Sequence, residues 1–377
     1  MYQDAVALLP GFLGFGHFGG FYYFADRVAA TLRGALEIEA GRSIPVIPLS
    51  TLPAAALPGR QEYLLGALTR VDTILGGVER FHLVGHSAGG VDAFLLTQDQ
   101  PFGGGPGDPR EVRKRIRSVI TIAAPHYGTG LANTDLAQFL GNPLAHMSGL
   151  PSIGKTIVDV LRSAPSEPNL PTTVAGALQD WRQSFSFLGQ VLQHREIIQA
   201  LRPERMAELQ ARCKPDPKVN AKLTCFVTGT PPPEDHSKSD ALYRDLYELS
   251  ARGVSSLGPV PKEALRVLEH ARDGKIIKAP EMGTIVSIPP IMNDGIVTSA
   301  CQMVHPDRAD EFGGLVMADH GDVLGHYPRV DPLSSLAGGS ESRKTINVGL
   351  FQSGVAFRDD QFFELYRRVA ARILDAQ

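Results

Sequence analysis

Short apolar runs bounded by turn residues alternate along the chain with stretches of helical spacing. The apolar runs predict strands, and they cover residues 5–9, 44–49, 81–84, 118–123, 223–228, 285–288 and 315–318. Apolar residues spaced three and four apart predict helices, at about 24–32, 61–75, 89–97 and 359–374. Strands that alternate with helices are typical of an α/β fold with a mostly parallel central sheet and helices on both faces.

One long segment, residues 131–222, interrupts this alternation because it has helical spacing and no convincing strand. We expect a single domain over residues 1–377, with 131–222 inserted into it as a set of helices. Helices in such a place either add packing to the core or form a mobile cap over an apolar site, and we favour the cap. A second stretch, 230–279, has further helical spacing at Leu242, Leu246 and Leu249.

The composition is that of an ordinary globular protein, with 43% hydrophobic and 20% charged residues. A net charge of −3 and the lack of a long basic run argue against nucleic acid or an anionic membrane as a partner. The uncharged stretch between Asp4 and Asp26 contains Pro10 and several glycines and has no basic residue before it, so it predicts neither a membrane span nor a signal peptide. The compartment stays open between the cytoplasm and secretion after removal of a leader.

The strand at 81–84 continues directly into the pentapeptide Gly85-His86-Ser87-Ala88-Gly89, and a helical pattern follows it. This pentapeptide fits G-x-S-x-G, in which a sharp strand-to-helix turn lifts a serine hydroxyl above the sheet. A buried serine in a glycine-rich turn is the alternative, but it does not account for the strand before and the helix after. Ser87 is therefore the predicted nucleophile.

A serine hydroxyl needs a histidine to accept its proton and an acid to orient that histidine. In this type of fold the acid and the histidine follow the serine in that order along the chain, which leaves His305, His320 and His326 among the 11 histidines. His320 comes just after the strand at 315–318 and is preferred, with His326 as the runner-up.

The candidate acid is Asp294, in Asn293-Asp294-Gly295 after the strand at 285–288. Asn-Asp-Gly is also a common turn sequence, and Asp307, Asp310 and Asp319 are weaker competitors. The charged intermediate of acyl transfer needs backbone N–H donors. We predict that Ala88, directly after the serine, and Phe12, in the flexible loop after the first strand, supply these donors.

Five pieces of the chain together resemble a known family. They read LLPGFLGFGHFGGFYYF, LVGHSAGG, ITIAAPHYGT, NDGIVTSAC and DHGDVLGH. The family is the bacterial true lipases of the Pseudomonas and Burkholderia type, within the α/β-hydrolases. The resemblance implies the α/β-hydrolase fold, the triad Ser87, Asp294 and His320, and oxyanion donors at Phe12 and Ala88. These are the same residues that the motif analysis selects, although the cap region shows no match.

The resemblance also implies a structural calcium ion near the histidine, whereas the chemistry itself needs no cofactor. Asp322 matches one ligand position, and the backbone carbonyls of His326 and Val330 would complete part of an oxygen shell of the kind calcium prefers. Asp273 is the candidate for the second carboxylate, although its surroundings do not match.

The sequence departs from the family pattern at two further places. A disulfide would pair Cys213 with Cys301, which stands one residue off the usual spacing after the acid. Pro10 replaces the histidine that such lipases usually carry before the glycine of the oxyanion loop, so the hydrogen bonding of that loop must differ.

The predicted function is hydrolysis of apolar acyl esters through an acyl-enzyme, by a lipase or carboxylesterase active in lipid degradation. A polyester depolymerase, such as one acting on polyhydroxyalkanoate, or a lactonase would use the same triad, as would thioester cleavage or acyl transfer. A non-catalytic binding protein on a hydrolase scaffold is the alternative of another class. We expect an apolar ester as substrate, transient contact between the cap and a lipid interface, and no nucleic-acid partner.

Overall fold

The structure is a computed structural model of the chain. The residues that it describes are 2–12, 17–18, 21–52, 55–99, 110–134, 196–233, 239, 241–252, 260, 262–271, 273–285, 288–289, 291–304, 311–327, 329–330, 345–346 and 353–377.

Seven parallel strands form the central sheet. They are β1 (Tyr2–Leu9), β4 (Val46–Pro48), β5 (Val78–His86), β6 (Ile116–Ile122), β7 (Lys222–Gly229), β8 (Ile276–Ile277) and β9 (Glu311–Met317). Their spatial order is β4-β1-β5-β6-β7-β9-β8, and β5 lies near the middle. Two antiparallel pairs lie outside this sheet, β2 (His17–Phe18) with β3 (Phe21–Tyr22) and β10 (Arg329–Val330) with β11 (Thr345–Ile346).

Nine α-helices lie within the described residues. They are α1 (Asp26–Ala40), α2 (Leu57–Ile74), α3 (Ala88–Leu95), α4 (Arg110–Arg113), α5 (Glu196–Ala200), α6 (Pro203–Arg212), α7 (Ala241–Arg252), α8 (Lys262–Glu269) and α9 (Asp359–Leu374). Short 3-10 helices cover Gly130–Asn133, Asp273–Lys275, Pro280–Met282, Ser299–Gln302 and Asp322–Leu324. None of these helices combines the length and apolar character that a membrane span requires.

The hydrophobic core has two layers, one on each face of the sheet, because successive residues of a strand point to opposite faces. Ala5 and Ala7 of β1 face α2 and α3, whereas Val6 and Leu8 face α1 and α9. The buried strands are apolar on both faces, as parallel strands covered by helices must be. The predicted α/β architecture with helices on both faces is therefore confirmed.

The strand predicted at residues 285–288 is absent at both of its described residues. Ile285 and Ile288 lie outside any strand, and residues 286 and 287 lie outside the described residues. The edge of the sheet is instead formed by β8, in which Ile276 pairs with Leu315 of β9. Ile288 is buried in the core although it belongs to no strand. Its apolar side chain therefore indicates burial and not strand formation.

Most of the predicted cap, residues 135–195, lies outside the described residues. The described part of 131–222 before β7 contains α5, α6 and the end of one 3-10 helix. The extent of the cap, and its contact with lipid, therefore stay predictions.

The disulfide implied by the family resemblance is not formed. All three cysteines lie within the described residues, and none of them belongs to a disulfide. Cys213 follows α6, and Cys301 lies in the 3-10 helix Ser299–Gln302, and both are buried. Burial raises the pKa of Cys301 to about 12, so its thiol is protonated at neutral pH and is a poor nucleophile for disulfide exchange.

Candidate active site

Ser87 occupies a sharp turn between β5 and α3. Its backbone has φ 54° and ψ −131°, a conformation that L-residues rarely adopt. The turn is tight enough to require glycine on both sides. A Cβ on Gly85 would come 2.3 Å from the carbonyl oxygen of Gly89, and one on Gly89 would come 2.3 Å from that of Leu9. The G-x-S-x-G pattern thus has the strand, turn and helix that the sequence predicts.

The loop after β1 passes directly over this turn. A Cβ on Gly11 would lie 2.7 Å from the Cβ of Ser87, so only glycine allows the loop to come so close. Phe12, the next residue, lines the same cavity as Ser87. Ala88 begins α3, where backbone N–H groups have no partner within the helix. Both predicted oxyanion donors therefore lie on segments that adjoin the serine.

His320 and Asp294 form a hydrogen-bonded pair beyond the carboxyl ends of the strands. The Nδ1 of His320 lies 2.8 Å from Oδ2 of Asp294, and the backbone N–H of His320 donates to the carbonyl of Asp294 over 3.0 Å. Asp294 is fully buried, whereas His320 is 8% exposed. We expected the acid to follow a strand at 285–288, but Ile285 and Ile288 lie outside any strand. Its loop is held by bridges from Asn293 to Thr230 and to Thr298.

Every lone-pair direction of the Asp294 carboxylate is used. Oδ1 accepts from the backbone N–H groups of Ile296 and Val297, at 3.0 and 2.7 Å. Oδ2 accepts from the hydroxyl of Thr228 at 2.6 Å and from the side-chain amide of Gln302 at 3.2 Å, besides the contact with His320. The carboxylate is therefore held in one orientation. The sequence analysis missed Thr228 and Gln302, although Thr228 lies near the carboxyl end of β7, where such a partner could be sought.

His86 joins the oxyanion loop to His320. Its Nδ1 lies 2.7 Å from the hydroxyl of Tyr23, which is also hydrogen-bonded to the backbone of Gly11. Its Nε2 lies 3.0 Å from the carbonyl oxygen of His320. Burial lowers the pKa of His86 well below its usual value, so the ring is neutral. Since a carbonyl can only accept, Nε2 carries the proton and Nδ1 accepts from Tyr23.

Arg60 holds the loop after β1 from another direction, and the sequence analysis did not predict this role. The guanidinium is completely buried and donates from Nε and Nη2 to Oδ2 of Asp92, at 2.9 and 2.7 Å. It also donates to the carbonyl oxygens of Gly11 at 3.2 Å and Pro10 at 3.4 Å. The Gly11 carbonyl and the Phe12 N–H belong to one planar trans peptide and point in opposite directions. Arg60 therefore fixes the direction of the Phe12 N–H, in a loop where Pro10 has no N–H of its own to contribute.

The two carboxylates predicted to bind calcium do not come together. Asp273 precedes β8 and Asp322 follows β9, so their backbones lie at opposite ends of two parallel strands. Oδ2 of Asp322 accepts the N–H of Asp319, and burial together with Asp319 raises the pKa of Asp322 well above its usual value, which disfavours the charged form. Within the described residues no three His, Cys, Asp or Glu side chains are grouped so as to hold a metal. Asp273 and Asp322 therefore do not share one calcium site, and a calcium ion held by Asp322 with the carbonyls of His326 and Val330 stays a prediction from the family resemblance.

The remaining candidates have other roles or cannot be placed. His326 contacts the backbone carbonyl of Tyr23 through Nε2, at 3.0 Å. The Oδ1 of Asp319 accepts the N–H groups of Gly321 and Asp322 at 2.9 and 3.0 Å, so it shapes the loop that carries His320. His305, Asp307 and Asp310 lie outside the described residues, and of Val330 only the backbone is described, in β10.

The central parallel sheet, the helices on both faces and the strained serine turn after β5 define the α/β-hydrolase fold. No protein-family model matches the chain, and neither does any curated protein sequence.

Among solved structures, the chain is similar to EstA from Clostridium botulinum, with 15% identity, coverage of 98% of this chain and 87% of that one, and a TM-score of 0.48. It is similar to Staphylococcus hyicus lipase, with 16% identity, coverage of 99% and 96%, and a TM-score of 0.47. It is also similar to Bacillus licheniformis lipase BlEst2 in mature form, with 13% identity, coverage of 85% and 86%, and a TM-score of 0.42. The fold class rests on the topology of this chain itself, and the relationship to the Pseudomonas and Burkholderia type stays a prediction from the sequence.

Proposed function

We propose that the protein is a serine carboxylic-ester hydrolase that cleaves apolar acyl esters. The observation that carries this proposal is the position of the strained Ser87. It lies beside an apolar cavity, at the same carboxyl end of the sheet as the buried His320–Asp294 pair. A strained backbone at a serine destabilises the fold, and placing the serine hydroxyl against the adjoining cavity is a reason to keep that strain.

The proposed reaction has two steps. The hydroxyl oxygen of Ser87 attacks the ester carbonyl while Nε2 of His320 takes its proton, and Asp294 holds the opposite nitrogen of that ring. The N–H groups of Phe12 and Ala88 bind the oxyanion that forms. The carbon–oxygen bond to the alcohol then breaks, and the alcohol leaves with the proton from His320. In the second step a water molecule gives a proton to His320 and attacks the acyl carbon. The bond from that carbon to the Ser87 oxygen breaks, His320 returns the proton to this oxygen, and the carboxylic acid leaves.

The test is hydrolysis of p-nitrophenyl hexanoate by the wild type, Ser87→Ala and His320→Ala. We expect each variant to lose at least about a thousandfold in kcat, because removal of either group disables attack.

The chain provides a matched control elsewhere in the sheet. Nδ1 of His82 lies 2.9 Å from the hydroxyl of Ser118 and its Nε2 lies 3.0 Å from Asp4, so this group also joins a serine, a histidine and an acid, although Nδ1 faces the serine and not the acid. His82 lies in β5, Ser118 in β6 and Asp4 in β1, and all three are buried. They lie away from the carboxyl ends of these strands, where the serine turn is. Ser118→Ala should leave kcat unchanged per folded molecule. If Ser87→Ala retained wild-type activity, the proposal would be wrong, and a non-catalytic binding protein would become the better hypothesis.

A further inference from the structure

A small cavity adjoins the nucleophile. Its volume is about 170 Å³. Most of its wall is aliphatic and comes from separate parts of the chain, and the lining residues apart from Ser87 are Phe12, Pro125, Thr129, Leu131, Ala132, Ile198, Leu201, Leu246, Ile296 and Val297. Helices α5 and α7 thus contribute to the wall together with the segment that follows β6.

The described residues that line the cavity present almost no polar side chain to a ligand. Among them, the one hydroxyl besides that of Ser87 belongs to Thr129. This hydroxyl donates to the carbonyl of Ile296 and accepts the N–H of Leu131, so it is already engaged within the protein. A polar alcohol or a sugar would leave its hydroxyl groups without partners here, which is costly. An unbranched alkyl chain needs no partner and is the occupant that such a wall selects.

The size of the cavity sets the length of that chain. An engineered cavity of about 150 Å³ lined by aliphatic and aromatic side chains takes up one benzene molecule, with its six carbons. By the same measure a cavity of about 170 Å³ takes up about six to eight alkyl carbons. We infer that the site is selective for medium-chain acyl groups, from hexanoyl to octanoyl, an inference that rests on the proposed function. Longer acyl chains place their remaining carbons outside this cavity.

The inference predicts a break in the dependence of rate on chain length. Each methylene that enters the cavity is removed from water, which is worth about a fourfold gain in kcat/KM. The gain should therefore accumulate from acetate to hexanoate or octanoate and should stop, or reverse, at laurate and palmitate. The experiment measures kcat/KM for this series of p-nitrophenyl esters.

Two variants change the cavity in opposite directions. Leu246→Ala removes part of the wall and should move the optimum towards laurate. Ala132→Leu fills the cavity and should move the optimum to butyrate or acetate, with a loss of at least about tenfold on octanoate. Leu268→Ala is the matched control, because Leu268 is a buried leucine like Leu246 but does not line the cavity. It should leave the chain-length profile unchanged.

A binding measurement on an inactive variant separates the selectivity of the cavity from the proposed hydrolysis. The same chain lengths are titrated as 2-alkanones against Ser87→Ala by calorimetry, and the affinity should rise up to about eight carbons and then level off. Inactivity on every ester with this binding profile would refute the hydrolase and keep the cavity assignment. An affinity or a rate that keeps rising through the longest chains, or a Leu246→Ala profile identical to that of the Leu268→Ala control, would overturn the inference and leave the proposed function standing.

Discussion

Replacement of Arg60 by lysine tests whether the oxyanion loop is held from behind. The Arg60 guanidinium is fork-shaped and reaches Asp92, the carbonyl of Leu52 at 2.7 Å and the carbonyl of Gly11 at 3.2 Å. A lysine ammonium can keep the ion pair with Asp92, but it cannot reproduce this fork. The loop carbonyls would then lose their donor, and the Phe12 N–H would no longer be fixed in direction.

The expected effects on stability and rate are of different kinds. Loss of the two shorter hydrogen bonds to backbone, those to the carbonyls of Leu52 and Gly11, should cost about 3 kcal/mol of unfolding free energy, because the donor is charged. Removal of one oxyanion donor in a serine hydrolase lowers kcat by about 100- to 1000-fold. Arg60→Lys loosens the Phe12 donor without removing it, so we predict a fall in kcat of about 10- to 100-fold with KM changed by less than about twofold. Urea unfolding and steady-state kinetics on p-nitrophenyl hexanoate measure the two effects.

Arg113→Lys is the control for buried arginines in general. Arg113 is also buried and donates to the carbonyls of Leu96 and Gln98, at 2.7 and 2.6 Å, and to Asp216 at 3.1 Å. This variant should lose similar stability and keep its kcat. An unchanged kcat in Arg60→Lys, or an equal fall in kcat in both variants, would refute the role of Arg60 in directing the loop.

Three further predictions concern the turn, the acid and the pH dependence. Gly89→Ala should lower the free energy of unfolding by about 3 kcal/mol or more, because its Cβ would meet the Leu9 carbonyl. In Gly34→Ala, within α1, the new Cβ meets nothing within 4 Å, so this control should raise it by about 0.5–1 kcal/mol. Thermal unfolding compares the two variants. Asp294→Asn should lower kcat by about 10⁴-fold with the fold intact, and a loss below tenfold would remove it from the triad. Burial lowers the pKa of His126 to about 3, because the interior disfavours the charged ring. The free energy of unfolding is therefore independent of this group above its unfolded pKa near 6.5. It falls by about 1.4 kcal/mol per pH unit as the pH drops from there towards 3. Buried His86 adds a slope of the same sign, so urea titrations at several pH values should show a shallower slope in His126→Gln than in the wild type. An equal slope in the two proteins would contradict the assignment.

The sheet was predictable wherever a strand is fully buried. Strands β1, β5, β6 and β7 overlap the predicted apolar runs at 5–9, 81–84, 118–123 and 223–228, and helix α9 spans the predicted residues 359–374. β8 is only two residues long, too short for any periodicity to show. The apolar residues Ile285 and Ile288 suggested a strand because burial and strand formation select the same side chains.

The same limit applies to the site. Ser87 sits in a local pattern, and the sequence therefore indicated both the residue and its turn. Arg60, Tyr23 and Thr228 act across long sequence separations, and each was indistinguishable in the sequence from an ordinary helix or strand residue. Their contacts exist because the chain brings the carboxyl ends of parallel strands to one edge, which is a property of the topology and not of any short motif.

The most direct test of the central claim is covalent labelling of the nucleophile. The wild type is treated with a fluorophosphonate, digested and examined by mass spectrometry. The account predicts one phosphonyl group on the peptide that contains Ser87, and no labelling in Ser87→Ala. Labelling at another serine, or none in the folded wild type, would contradict it.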